Sequence, residues 1–280
     1  MVNPRVSIIT ATYNRPHLLE RAIESVRAQT FTDWELIVVD DGDRESAAAA
    51  VGAWRARDSR IRYLSPGHRG RIAIISNIGL REARGEYVAI LDDDDWWTAS
   101  DKLEKQVRFL DTNSDHVGCG GGYVVVDEAG RETGRFLKPE RHEDIVRHAL
   151  IANPMANSTT LFRRATAERL GNYDETMLQF ADWDFWLKMG LAGKLYNFPE
   201  HFAAYRMWEG GMSFAKQREN ARSAFRIVRR YTGRYPRTAL GCLSAVAYAT
   251  YAYLPAFIKR FLNPALSRLK KFLFAGRGPA

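Results

Sequence analysis

The chain has 280 residues, 46% of them hydrophobic, 12% aromatic and 26% charged, with a formal net charge of +8. This composition excludes a disordered, collagen-like or low-complexity protein and supplies apolar material for a sizeable core. Cys119 and Cys242 make neither a disulfide framework nor a zinc spacing, and no apolar leader precedes the first strand-like run, so a reduced, cytosolic setting is expected. The charge is unevenly spread. Residues 1–213 carry 27 Lys and Arg against 32 Asp and Glu, a net of −5, while residues 214–280 carry 14 against the single Glu219, a net of +13.

Residues 6–11 are β-formers that predict a buried strand, followed by Thr12-Tyr13-Asn14-Arg15-Pro16, a turn with proline placed to open a helix. Leu18, Leu19, Ala22, Ile23 and Val26 then recur at helical spacing. Residues 34–39 predict a second buried strand, ending on Asp40-Asp41-Gly42. A helix over 46–58, a strand over 61–64, a helix over 72–83 and a strand over 86–91 follow. This βαβαβαβ order with near-continuous apolar strands predicts a parallel sheet covered on both faces, with ligands beyond the carboxyl ends of its strands. Three of those four ends carry unusual polar residues: Thr12-Tyr13-Asn14, Asp40-Asp41 and Asp92-Asp93-Asp94-Asp95. The second half is less regular. It predicts strands over 117–126 and 159–162, a helix over 182–191, a strand over 195–206 broken at Pro199, and a basic helix over 216–231.

No G-x-x-x-x-G-K-[ST] loop occurs and no strand leads into G-x-G-x-x-G, so neither a P-loop NTPase nor a Rossmann dehydrogenase is expected. Four adjacent carboxylates at a strand end repel one another, a cost tolerated mainly where a cation neutralises them. Their hard oxygens suit Mg²⁺ or Mn²⁺ bound together with substrate phosphates. The plainer alternative is a solvated acidic turn that caps the next helix. Asp40-Asp41-Gly42 is either a simple turn or a hydrogen-bond acceptor for a nucleobase or ribose, with Tyr13 stacking on the base. Asp182-Trp183-Asp184-Phe185-Trp186 opens a helix, where aspartate is either a helix-start residue or a base that removes a hydroxyl proton.

These stretches, with residues 35–42, Gly85-Glu86-Tyr87 and Gly171-Asn172-Tyr173-Asp174-Glu175, resemble family 2 glycosyltransferases, inverting enzymes of the GT-A fold, over residues 5–213. The resemblance implies an α/β fold with a mostly parallel, Rossmann-like sheet covered by helices on both faces. It divides into a nucleotide-binding half over about 1–96 and an acceptor half over about 97–213, with a basic helical extension over 214–280. It further implies that Ala11, Tyr13, Asp41 and Arg71 contact the nucleobase, Asp93 the ribose and Asp94 the metal, with Asp92 assisting. Asp182 matches the catalytic base, and Asp184 is the weaker match. The implied reaction is a single displacement from a nucleoside-diphosphate sugar, with UDP-sugar favoured, to a hydroxyl acceptor, aided by Mn²⁺ or Mg²⁺. Several positions depart from the family pattern. Ala181 stands where relatives usually have Glu, Ile75-Ser76-Asn77 replaces Ala-Arg-Asn, Asp43 replaces Ser, and Met207-Trp208 ends a motif that normally carries histidine. Trp208 is offered as a stacking residue for sugar or base.

Residues 239–258 are free of charge, and 259–274 interleave basic with bulky apolar side chains. Three readings stay open: interfacial attachment of 239–274 to anionic lipid at the inner face of a membrane, a helical pair packed on the body or building a homodimer, and a membrane span. A nucleotidyltransferase is the enzymatic alternative, and it lacks its expected glycine-rich loop. Binding of nucleic acid through the tail is the non-enzymatic one, disfavoured by the acidic body.

Overall fold

The computed structural model describes residues 3–43, 46–207, 216–255 and 258. Trp208, the boundary at 213/214 and the basic segment 259–274 lie outside them. The apolar runs of the first half form four parallel strands, β1 (Val6–Thr12), β2 (Trp34–Asp40), β3 (Ile61–Leu64) and β4 (Tyr87–Ile90), in the spatial order β3-β2-β1-β4. Alternate side chains leave the sheet on opposite faces. Ile8, Leu36, Val38 and Ala89 pack on the face covered by α1 (Leu19–Arg27) and α2 (Ala48–Arg55). Ile9, Ile37, Val39, Val88 and Ile90 meet α3 (Ile72–Glu82) on the other. Every residue of β2 is buried, including Glu35, whose charge is met by Arg62 at 2.9 Å and by the Ser7 hydroxyl at 2.7 Å.

The order reverses between β1 and β4, so a crevice opens beyond their carboxyl ends. The sheet then continues with mixed direction through β8 (Leu161–Arg163), β6 (His116–Val126), β9 (Lys194–Arg206) and the two-residue β5 (Trp96–Trp97), with β7 (Glu132–Phe136) on β6. Pro199 does not end β9. The pairing with β6 jumps from Phe198 to His201, so Pro199 and Glu200 bulge out and the strand resumes. Helices α4 (Lys102–Thr112), α5 (His142–His148), α6 (Arg164–Arg169) and α7 (Ala181–Ala192) complete the body.

Beyond it lie α8 (Gln217–Tyr231) and α9 (Thr238–Tyr253). Arg230 and the Tyr231 hydroxyl hold the buried Asp184 of α7 at 2.7 and 3.1 Å, and the Tyr235 hydroxyl donates to the Leu187 carbonyl at 2.8 Å. The Ser244 hydroxyl of α9 bonds the Ile151 carbonyl at 3.0 Å. Both helices of the extension are therefore docked on the body. Among the described residues no helix is long and apolar enough to cross a membrane.

Candidate active site

The turn after β1 meets the acidic run after β4. Asn14 adopts a left-handed backbone (φ 52°), a conformation that asparagine tolerates, and its amide and carbonyl exchange hydrogen bonds with Asp43. The turn projects Arg15 across the crevice, where one guanidinium nitrogen lies 2.5 Å from Asp93 Oδ1 and another 2.9 Å from Asp94 Oδ2. The four aspartates divide by environment. Asp95 is buried, accepting from the Ser158 hydroxyl at 2.5 Å and the Arg206 N–H at 3.1 Å, and so anchors the chain. Asp93 is buried against Arg15. Asp92, held by the Asn157 amide at 3.1 Å, and Asp94 are partly accessible.

Burial, then Asp94 and Asp182, push the Asp92 carboxyl up to about 7. Burial pushes Asp93 up to about 7 against the pull of Arg15. Asp182 is one of the charges that raise Asp92, so the start of α7 lies within electrostatic reach of the acidic run. Asp182 occupies the first turn of α7, just after Phe180, whose φ of 59° is unusual for a bulky residue. Its Oδ2 accepts from the Asn153 amide at 2.7 Å, and Lys138, which donates to the Asn153 carbonyl at 2.9 Å, adds a positive field. Burial nevertheless raises the Asp182 carboxyl above its ordinary range. Its partner in sequence, Asp184, points away into the core beneath α8 and cannot reach a substrate in this crevice.

At the second strand end, neighbouring aspartates take opposite tasks. Asp40 accepts from the N–H groups of Gly42 and Ala47 and from the Tyr63 hydroxyl, which fixes the start of α2. Asp41 accepts from the N–H groups of Arg69 (2.5 Å) and Gly70 (3.0 Å), with His68 Nδ1 3.3 Å from its Oδ2. These contacts leave acceptor capacity on a carboxylate with about four lone-pair sites. Tyr13 is 40% exposed and stacks on His68 with ring centroids 5.1 Å apart. Ala11 is half-buried one residue before the end of β1, paired with Val39. Arg71, at the start of α3, donates instead to the Glu175 carbonyl at 3.0 Å. Sequence reasoning did not find Arg15, His68, Lys138, Asn153, Asn157 or Ser158 as site residues. Only Arg15 lay within a motif already singled out.

A separate cleft of about 560 Å³ is lined by Asn77, Arg81, Tyr173, Asp174, Lys188 and Arg230, among others. It contains none of the expected site residues and marks the seam where α8 docks.

The model for glycosyl transferase family 2 matches residues 7–171, more than half of the chain. The chain belongs to glycosyltransferase family 2. A putative teichuronic acid biosynthesis glycosyltransferase, TuaG of Bacillus subtilis (strain 168), is 30% identical over 219 residues, which cover 76% of this chain and 83% of that protein. Among solved structures, the mannosyltransferase PcManGT of Pyrobaculum calidifontis, in complex with GDP-Man and Mn²⁺, gives a TM-score of 0.64 at 20% identity, covering 96% of this chain and 81% of that one. S. aureus TarS gives 0.61 at 16% identity. The likeness covers 89% of this chain and 43% of TarS. These likenesses establish the GT-A fold expected from the sequence. Family membership makes the protein a glycosyltransferase rather than a nucleotidyltransferase. The matched segment of this glycosyltransferase ends before Asp182.

The acidic run suits a divalent cation. Asp93 Oδ2 is buried without a hydrogen-bond partner; the Thr12 hydroxyl is near enough to influence it but outside bonding geometry. Among the described residues no three His, Cys, Asp or Glu side chains converge on one point. Mg²⁺ and Mn²⁺ need fewer, since one or two carboxylates suffice when substrate phosphates and water complete the shell.

Proposed function

We propose that this glycosyltransferase moves a sugar, with inversion, from a nucleoside-diphosphate donor to a hydroxyl acceptor in the synthesis of a cell-surface polysaccharide or glycolipid. The observation that carries this reading is the strand-end acidic run beyond β1 and β4, bridged by Arg15 and within electrostatic reach of Asp182 at the start of α7. Asp182 is the base. Its raised basicity and its bond to Asn153 aim one carboxylate oxygen and leave the other to take the acceptor proton. Tyr13, Ala11 and Asp41 frame the nucleobase, Asp93 the ribose, and Arg71 borders the same side. Asp94, with Asp92 assisting, holds Mn²⁺ or Mg²⁺, which when bound neutralises the departing diphosphate. One protein carboxylate then suffices, unlike the pair that hydrolases require.

UDP-sugar is the preferred donor and GDP-sugar the next, in keeping with the GDP-Man complex of the similar mannosyltransferase. The polysaccharide assignment leans on the likeness to TuaG, a putative glycosyltransferase of teichuronic acid biosynthesis. Residues 1–213 form the catalytic unit. Residues 239–274 of the extension attach it to an anionic membrane surface on the cytoplasmic side, with pairing of two chains through the same helices as the other reading. Leu240, Leu243, Val246 and Tyr253 are exposed along α9 and precede the basic segment.

The test is release of nucleoside diphosphate from UDP-, GDP- and dTDP-sugars with Mn²⁺ or Mg²⁺ and an acceptor extract, with the product anomer read by NMR. Asp182→Asn is expected to lower kcat by about 10²–10⁴-fold while sparing nucleotide binding. Turnover near wild type in that variant, or a product that retains the donor configuration, would refute the mechanism.

A further inference from the structure

We propose that Arg15 is a resident counter-cation that competes with divalent metal for Asp94 and passes to the donor diphosphate when metal and nucleotide arrive together. The inference rests on the metal assignment of Asp94 above and adds a residue that the assignment does not contain. Two different guanidinium nitrogens bridge two neighbouring carboxylates, at 2.5 Å to Asp93 and 2.9 Å to Asp94. The Asp94 oxygen involved is Oδ2, on the partly exposed carboxylate of the pair (17% against 0% for Asp93). A divalent ion bound at Asp94 would lie within a few ångströms of the Arg15 guanidinium, so ion and guanidinium repel each other and share one acceptor. The backbone cannot relieve the conflict. Asn14 is pinned to Asp43 on one side, and Pro16 restricts residue 15 on the other. The side chain is what can move.

A planar fork of donors fits diphosphate oxygens as well as it fits carboxylates. When a metal–diphosphate unit enters, its negative oxygens provide the guanidinium with a new partner at the moment the metal takes the old one. The expected consequence is coupling: metal alone binds weakly, diphosphate alone binds weakly, and each strengthens the other. Arg15 thereby keeps the acidic run neutralised and couples metal loading to donor loading.

The experiment uses the full chain and reads free Mn²⁺ by EPR, with Mn²⁺ alone and then with inorganic pyrophosphate, which carries no base or sugar. Arg15→Gln, checked for native circular dichroism, is expected to bind Mn²⁺ alone about tenfold more tightly than wild type. It should bind Mn²⁺-pyrophosphate about tenfold more weakly relative to its Mn²⁺ affinity. Arg15→Lys, which keeps the charge but loses the fork, is expected to leave Mn²⁺ affinity near wild type and still weaken pyrophosphate binding. A purely structural ion pair would lower the melting temperature in both variants and move neither affinity, and that result overturns the proposal. Asp94→Asn separates the two layers of the argument. Mn²⁺ binding that survives it sinks the metal assignment and this inference together. Mn²⁺ binding that depends on Asp94 but ignores Arg15→Gln sinks this inference alone.

Discussion

Lys102 is fully buried at the start of α4, with no carboxylate among its described contacts. Its ammonium donates to Gln106 Oε1 at 2.7 Å and lies 4.1 Å from the centre of the Trp97 ring. Both contacts favour the charged form, but burial outweighs them and lowers the group from 10.5 to about 7. The unfolded chain holds this proton up to about 10.5, so between those values it binds more protons than the folded one and stability rises with pH. The penalty is complete below about 7 and fades toward 10.5. From pH 7 to pH 9 the group alone should add about 2 kcal/mol of stability. Lys102→Met fills the same space without a titrating group and should lack that increment. Urea unfolding of both proteins at the two pH values gives a double difference in which the packing change and all other titrations cancel. A double difference near zero would show that Lys102 keeps its proton throughout, and the electrostatic reasoning would be wrong.

Two further outcomes follow from packing and charge. Arg230→Met takes from the buried Asp184 the nearer of its two cations, leaving Lys188 at 3.9 Å, and should cost about 3 kcal/mol, read as a fall in urea midpoint, whereas Arg229→Met on the exposed side of α8 should stay within about 0.5 kcal/mol. Gly85→Ala would place a Cβ 2.5 Å from the Ser7 nitrogen and 2.8 Å from the Tyr87 carbonyl oxygen, both backbone atoms, and should cost about 2 kcal/mol or more by the same assay.

The first half of the fold was legible because its strands are buried on both faces and its helices carry an apolar stripe, so periodicity and burial agree. The carboxyl ends of those strands were legible for the same reason. The division of labour within each acidic cluster was not. Asp40 and Asp41 are adjacent in sequence, yet one caps α2 and the other gathers the 68–70 loop, because successive residues leave a strand in opposite directions. In the run of four, Asp95 turns inward to Ser158 while Asp94 stays partly open. Arg15, Asn157 and Ser158 already meet much of the charge for which the sequence alone called on a metal ion. The second half hid β5, β7 and α4 to α6 from the sequence. A two-residue strand has no period, and β7 is largely exposed, with no apolar alternation to announce it. Asn153 and Lys138 come from loops, where only the folded chain brings them to Asp182.

Helix α7 joins the two unequal halves of the charge distribution. Asp182 and Asp184 are two residues apart, which on a helix sets them on nearly opposite sides. One therefore faces the crevice and the other must face whatever covers the back of the helix. That cover is α8, whose Arg230 bridges Asp184 and Asp174, with Arg226 3.8 Å from Asp174. Part of the basic excess of the extension thus lies inside the protein, neutralising acids that hold α7 in place. The net of +13 therefore overstates the charge available to an anionic surface. Residues 259–271 add five Lys and Arg with no acid among them. The first helix of the extension thus braces α7, and the membrane attachment proposed above has to draw on the charges that remain.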